Sequence, residues 1–259
     1  MAQPLFLEIF AGQGELSRAM RQRGWIAIEW DILWGPSWDL TRPGPARTLR
    51  GWLISRLFDA VHLGTPCSSF SRARDRAGVR APGSAGWPGA LRSAAAPWGL
   101  AAVQHRDDLA ALRLGNTLAR FSIGIWRLCK RLVIPASLEN PATSRLWDLP
   151  ELVAAGRWED SHEVVTHYCQ DGMPWKKATR FRGLFMDLSA VPRRCSGPRG
   201  LCSRTGRPHQ ALEGRSPAGP LWTKVAEPYP RPLSNRLAAA LHSATVALNV
   251  KCVESILLQ

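Results

Sequence analysis

The chain is short of several things at once, and each shortage excludes something. In 259 residues no uncharged apolar run approaches the ~18 that a membrane-spanning helix needs, so an integral helical membrane protein is not expected. No internal repeat is visible, which sets aside solenoids and propellers. The opening Met-Ala-Gln-Pro-Leu-Phe-Leu-Glu8 has no basic start and meets an acid at once, so no secretory leader is expected. The six cysteines are scattered rather than framework-spaced, and reduced thiols in an intracellular protein follow. Acids are scarce: 20 Asp+Glu stand against 34 Lys+Arg, leaving +14. A polyanion is therefore the favoured partner, because cationic side chains neutralise phosphates and release counterions. A GC-biased genome also produces Arg-rich chains, and charge alone leaves an anionic membrane surface open as well.

What is present is a core. With 45% apolar and 21% charged residues the chain is no disordered tail, and its length suits one α/β domain with a small appendage. A short apolar run over 4–10 breaks into Ala11-Gly12-Gln13-Gly14, and an amphipathic stretch over 15–23 stops at Gly24. That order predicts strand, tight turn and helix. Further strands are expected over 25–30, 58–63 and 132–138, with helices over 47–57, 107–130 and 231–250. Residues 162–169 and 179–188 are expected to pair as strands at the sheet edge. Alternation of this kind builds a mostly parallel sheet with right-handed crossovers. Residues 68–104, rich in Gly, Ala, Pro, Ser and Arg, predict a long loop of the kind that serves as a lid or stays disordered.

Three places carry chemistry. In Phe10-Ala11-Gly12-Gln13-Gly14 the glycines let the backbone turn sharply beside a ligand, and Glu29 closes the next strand where it would accept from a ribose. Trp30 would lie against an adenine, and Asp39 would accept from its amino group. The same turn also fits an ordinary strand-to-helix junction. Second, Gly64-Thr65-Pro66-Cys67-Ser68-Ser69-Phe70 puts a thiol at the carboxyl end of a strand, the functional rim of such sheets. Neighbouring Arg72, Arg74 and Arg76 would favour its thiolate, whereas Cys129, among leucines, looks like core. Third, Leu138-Glu139-Asn140-Pro141 closes another strand, although Asn-Pro by itself is a turn starter. A nucleophile and a carboxyl group would then face one cleft.

Phe-Ala-Gly-x-Gly, Glu-Trp-Asp, Pro-Cys and Glu-Asn-Pro, in this order, resemble the cytosine-5 DNA methyltransferases over residues 4–185. The tract from Tyr168 through Cys169-Gln170-Asp171-Gly172-Met173-Pro174-Trp175-Lys176-Lys177-Ala178-Thr179-Arg180 is similar to the form seen in some phage and mobile-element members. The resemblance implies a Rossmann-like class I fold using S-adenosyl-L-methionine, with helices on both faces of the sheet. It divides the chain into a catalytic core over 1–186, a short basic insertion over 187–225 and a closing helix over 226–259. Cys67 would add to C6 of a flipped cytosine while Glu139 relieves charge at N3. Phe10, Ala11, Gly12, Gly14, Glu29, Trp30, Asp39 and Pro66 would hold the methyl donor. Ser68, Ser69, Arg72, Asn140, Lys176, Lys177, Thr179 and Arg180 would meet the nucleic acid or the base. DNA is the implied substrate, RNA (tRNA-like) the alternative, and a silent nucleic-acid-binding relative a third reading. The location would be nuclear in a eukaryote and cytoplasmic otherwise. Where many members have a second arginine in the late motif this chain has Thr179, with Arg180 one place on. The basic insertion also holds Cys195, Cys202 and His209, with Cys169 as a fourth; these are ligand types of a structural zinc site, though not at the usual close-pair spacing.

Overall fold

The computed structural model describes residues 3–84 and 88–257, and the side chains of residues 76, 77 and 250–257 are not among what it describes. Residues 85–87 of the long loop and 258–259 of the closing segment, like the Arg76 side chain, therefore fall outside it. Six strands form one sheet: β1 (Leu5–Ile9), β2 (Ile26–Trp30), β3 (Ala60–Leu63), β4 (Ala136–Pro141), β5 (Ser161–His167) and β6 (Ala178–Leu184). Their order is β2-β1-β3-β4-β6-β5. The first four run parallel, and β6 lies antiparallel between β4 and β5. The two late strands do pair as expected, but only β5 is an edge; β6 is inserted beside β4.

Period two divides the buried side chains of β1 between two cores. Leu7 and Ile9 enter one core, with Leu49 and Leu53 of α2 (Pro43–Ile54) and Ile125 and Trp126 of α3 (Arg106–Leu132). Phe6 enters the other, with Leu16 and Met20 of α1 (Glu15–Arg21). A strand with helices on both sides has no polar face, as in any buried parallel sheet. Two short helices, α4 (Pro150–Ala155) and α5 (Trp222–Val225), precede the closing α6 (Arg231–Leu257). Leu233, Leu237 and Leu241 of α6 join the α1 core, so the C-terminal segment docks on the first unit of the fold. Met186, Leu188 and Val191 belong to that same core, which carries sheet packing a few residues into the expected insertion. Among the described residues no helix is long and apolar enough to cross a membrane.

The long loop is pinned down rather than loose. Arg92 is 3% exposed, with its guanidinium 3.7 Å from the centre of the Phe70 ring. It donates to Ser69 O (3.0 Å), Pro97 O (2.7 Å) and Asn116 Oδ1 (2.8 Å). Buried Asp108 of α3 accepts from Arg74 (2.8 Å), Arg80 (3.2 Å) and Gly89 N (3.3 Å). Removing one member of a buried ion cluster leaves the rest uncompensated. Asp108→Ala is therefore expected to lower unfolding stability by about 3 kcal/mol in urea titrations; a loss below roughly 0.5 kcal/mol, the scale of surface changes, would contradict it.

Candidate active site

The sheet order reverses between β1 and β3, because the chain leaves β1 for β2 on one side and returns to β3 on the other. Crevices at such switch points, at the carboxyl ends of the strands, are where open α/β sheets bind ligands. The two loops that frame it are Phe10–Gly14 after β1 and Gly64–Cys67 after β3.

The first loop is shaped by positive φ angles at Phe10 (61°), Gly12 (55°) and Gly14 (64°). Gly14 starts α1, and a Cβ there would lie 2.7 Å from the Glu29 carboxylate, so only glycine lets the acid close against the turn. Glu29 Oε1 takes Arg21 of α1 at 2.6 Å. Asp31, just beyond β2, accepts from Gly12 N at 2.9 Å. Buried Glu8 of β1 accepts from Ser17 N (2.8 Å) in the first turn of α1, and burial pushes its carboxyl up to about 7. Two expected donor contacts are placed otherwise. Trp30 is buried, edge-on to Trp38 and Trp52, with its indole N–H on Trp38 O, so it offers no open ring face. Asp39 Oδ1 closes a turn onto the N–H and hydroxyl of Thr41. Ala11 is buried in the turn, and Pro66 is half-buried before the thiol.

Cys67 and Glu139 come from the ends of neighbouring parallel strands, β3 and β4. Burial and, after it, the Glu139 carboxylate push the Cys67 thiol up to about 11, against a smaller opposing pull from Lys177. Of the arginines expected to favour its thiolate, Arg72 and Arg74 are engaged elsewhere. Arg74 is taken by Asp108, and exposed Arg72 stands 3.7 Å from Asp75. Glu139 is itself buried, which raises its carboxyl; Lys177 and a hydrogen bond from Tyr229 work in the other direction.

Tyr229 and His62 are the residues that sequence reading missed. The Tyr229 hydroxyl donates to Glu139 Oε2 at 3.2 Å and lies 2.9 Å from His62 Nε2, while His62 Nδ1 lies 2.7 Å from Ser137 Oγ. Burial pushes His62 down to about 3, so the ring is neutral and carries one proton. Because the tyrosine proton goes to Glu139, the ring proton belongs on Nε2 and Ser137 donates to Nδ1. The wire is thus directional and ends on the carboxylate. Gly64 is what admits it: a Cβ there would come within 3.3 Å of the Tyr229 hydroxyl and 3.1 Å of Phe10 O.

Around these strand ends two buried acceptors stand without a protein partner, Glu139 Oε1 and Asn140 Oδ1. Asn140 is fixed by its amide, which donates to Thr65 O at 2.6 Å. Such atoms are rare in folded proteins and mark places where a ligand completes the set. Lys177 stands close in, its ammonium 4.7 Å from the centre of the Tyr168 ring and bonded to Ala226 O at 2.9 Å.

Not every expected base contact converges here. Thr179 pairs with Pro141 across β4 and β6, and Phe181 with Glu139, so both share the Glu139 face. Arg180, opposite Asn140, alternates to the other face, where it meets Glu163 (3.4 Å) and the Trp147 ring (5.1 Å). One residue of displacement along a strand reverses the side chain, so Arg180 does not stand in for an arginine at 179. Ser69 is buried under Arg92, which donates to its hydroxyl at 3.1 Å. Ser68 and Lys176 are exposed, and Arg72 lines a cavity of about 470 Å³ with Ala73, Asp75 and Thr143. Apart from this crevice, the thiols of Cys169, Cys195 and Cys202 and the His209 imidazole also meet, their ligand atoms all within 4.8 Å of one another.

No family model matches the chain, and no curated protein matches it. Among solved structures it is similar to the methyltransferase EhMeth of Entamoeba histolytica, at 10% identity and a TM-score of 0.39, over 82% of this chain and 58% of that one. It is also similar to the Dnmt2 methyltransferase of S. pombe, at 10% identity and a TM-score of 0.36, over 70% of this chain and 49% of that one. The chain thus spans about half the length of these solved chains, and the chemistry rests on its own side chains.

Proposed function

We propose that the chain methylates C5 of cytosine in DNA, with S-adenosyl-L-methionine as donor and Cys67 as covalent nucleophile. One observation carries this reading: a thiol and a buried carboxyl group, from adjacent strand ends at the switch point, share a site where Glu139 Oε1 lacks a partner. The donor fits the glycine turn next door. Gly12 has open space where a side chain would stand, and Glu29 Oε2 is the carboxylate oxygen left for a ribose hydroxyl once Arg21 has taken Oε1. When bound, this group supplies an electrophilic methyl to C5.

The chain's own residues do the rest. Cys67 sulfur bonds to C6 of the base, and the electron pair displaced from the ring double bond makes C5 nucleophilic. Glu139, protonated through Oε1, donates to N3 and relieves the charge that the addition creates. After methylation the C5 proton leaves to a base, the C5–C6 double bond reforms and the thiolate departs. In a duplex the base must be extruded to reach a site this recessed. Lys176, Ser68 and Arg72 lie on the exposed rim, where phosphates would pass. Residues 187–225 are the proposed target-recognition segment. A silent binding relative has no use for a partnerless buried carboxyl oxygen beside a thiol.

The test is nucleoside mass spectrometry after incubating the full chain with labelled donor and separate DNA and RNA pools. 5-Methylcytosine in DNA is expected. Its appearance in RNA alone moves the substrate, and its absence from both overturns the reading. Tyr229→Phe is expected to lower kcat roughly tenfold with little change in KM for the nucleic acid, the scale of one lost buried hydrogen bond to a charged group. Because the hydroxyl lowers the Glu139 pKa, its loss should also move the acid limb of the pH–rate profile upward. An unmoved limb would reduce Tyr229 to packing.

A further inference from the structure

We propose that Cys169, Cys195, Cys202 and His209 bind one Zn²⁺ as a closed, structural Cys₃His site that staples the basic insertion to the sheet edge. The site is independent of the methylation reading. Its ligands come from three stretches of chain: the turn Tyr168–Asp171 after β5, the segment from Cys195 to Cys202, and His209 beyond the isolated bridge between Leu201 and Pro208. All four ligand atoms lie within 4.8 Å of one another, and Cys195 Sγ is 3.6 Å from His209 Nε2. A tetrahedron with Zn–S near 2.3 Å and Zn–N near 2.0 Å has edges of about 3.5–3.8 Å, so only small side-chain movements close the site.

The surroundings are those of a metal site rather than of a core. The three cysteines form a cluster of their own, outside both apolar cores that flank the sheet. His209 Nδ1 lies 2.7 Å from Gly200 O and donates to it, which sets the tautomer and turns the Nε2 lone pair toward the thiols. N–H and O–H donors serve the sulfurs: Ser203 N (3.3 Å) and Ser203 Oγ (3.5 Å) to Cys195, and Gln170 Nε2 to Cys169 (3.5 Å) and Cys202 (3.8 Å). The reversal is too tight for a side chain at Gly197, whose Cβ would lie 2.1 Å from Leu201 O. A disulfide between any two of the thiols would leave the third, and the imidazole aimed at them, without a role.

With four protein ligands no coordination position stays open for chemistry, so the ion's work is architectural. Around it, Arg204 Nε donates to Cys169 O (2.7 Å), Gln210 N to Pro174 O (2.9 Å) and Cys195 N to His167 Nδ1 (2.8 Å). The segment has little regular structure of its own, and a metal is a common substitute for a core in such pieces. Held this way it presents Arg193, Arg194, Arg199 and Arg207 to solvent.

The full chain, purified without chelator, is to be analysed by inductively coupled plasma mass spectrometry, with metal release followed on adding a mercurial thiol reagent. About one zinc per chain is expected, freed as the thiols are titrated. His209→Ala and Cys202→Ser should lose most of it, His209→Cys should keep it, and Cys67→Ser, a thiol outside the cluster, should keep it all. Zinc-free wild-type chain grown with ample zinc would overturn the proposal, as would full retention by His209→Ala. If the depleted variants fail to fold, the wild-type stoichiometry and the His209→Cys result still decide.

Discussion

Cys67→Ser should lose more than about a thousandfold of its methyl transfer while binding the methyl donor as tightly as the parent chain does. A hydroxyl is a far weaker nucleophile than a thiol at the same position, and the glycine turn that would hold the donor belongs to a different strand end. An oligonucleotide carrying 5-fluorocytosine makes the test independent of turnover. Fluorine does not leave as a cation, so the adduct persists and the parent chain should migrate on a gel joined to the DNA; the serine variant should not. Retained turnover in Cys67→Ser, or trapping of that variant, would remove the sulfur from the mechanism. In the free chain burial and the Glu139 carboxylate hold this thiol at about 11, so roughly one part in a thousand is thiolate at pH 8. Alkylation of Cys67 by iodoacetamide, followed peptide by peptide, should therefore be slow and should climb about tenfold per pH unit between 8 and 10.

Glu139→Gln is expected to move two observables in opposite directions. Methyl transfer should fall by at least about a hundredfold, the usual worth of a positioned acid. Alkylation of Cys67 should become faster, because the carboxylate that raises the thiol has gone. A purely structural role for Glu139 would not separate the two, and unchanged methylation would dismiss it from catalysis. The pH dependence follows from the same pair. The form needed for addition, thiolate with carboxylic acid, contains as many protons as thiol with carboxylate. Between the raised Glu139 pKa and the still higher Cys67 value its share does not vary with pH, so kcat/KM should be level there. It should fall below the Glu139 value, where both groups are protonated, and again above about 11, where neither is.

Residues within one unit of the chain were readable wherever a local rule governs them. The turn after β1 could be read because glycine tolerates the positive φ found at Gly12 and Gly14. The thiol and carboxyl could be read because the ends of parallel strands gather on one rim. The helix boundaries shifted by a few residues: the stretch expected over 47–57 starts at Pro43, where proline suits a first turn. The lid-like composition of 68–104 hid a loop held by buried arginines, since nothing local says that Arg92 ends up under Phe70.

Sequence alone determined what depends on neighbours along the chain: alternating strands and helices, a glycine turn, a cysteine after one strand and a glutamate closing another. Tertiary structure alone decided what depends on distant pieces meeting. Tyr229 reaches Glu139 across 90 residues, and His62 backs it from the neighbouring strand β3. Cys169 joins thiols 26 and 33 positions later, counting from 169 to 195 and to 202. Arg180 fails to replace an arginine at 179 because the pleat turns it to the opposite face. The physical reason is the same throughout. Backbone preferences and apolar period act over a turn or two, whereas hydrogen bonds, charge and ligand geometry act through space and exist only once the sheet has set its order.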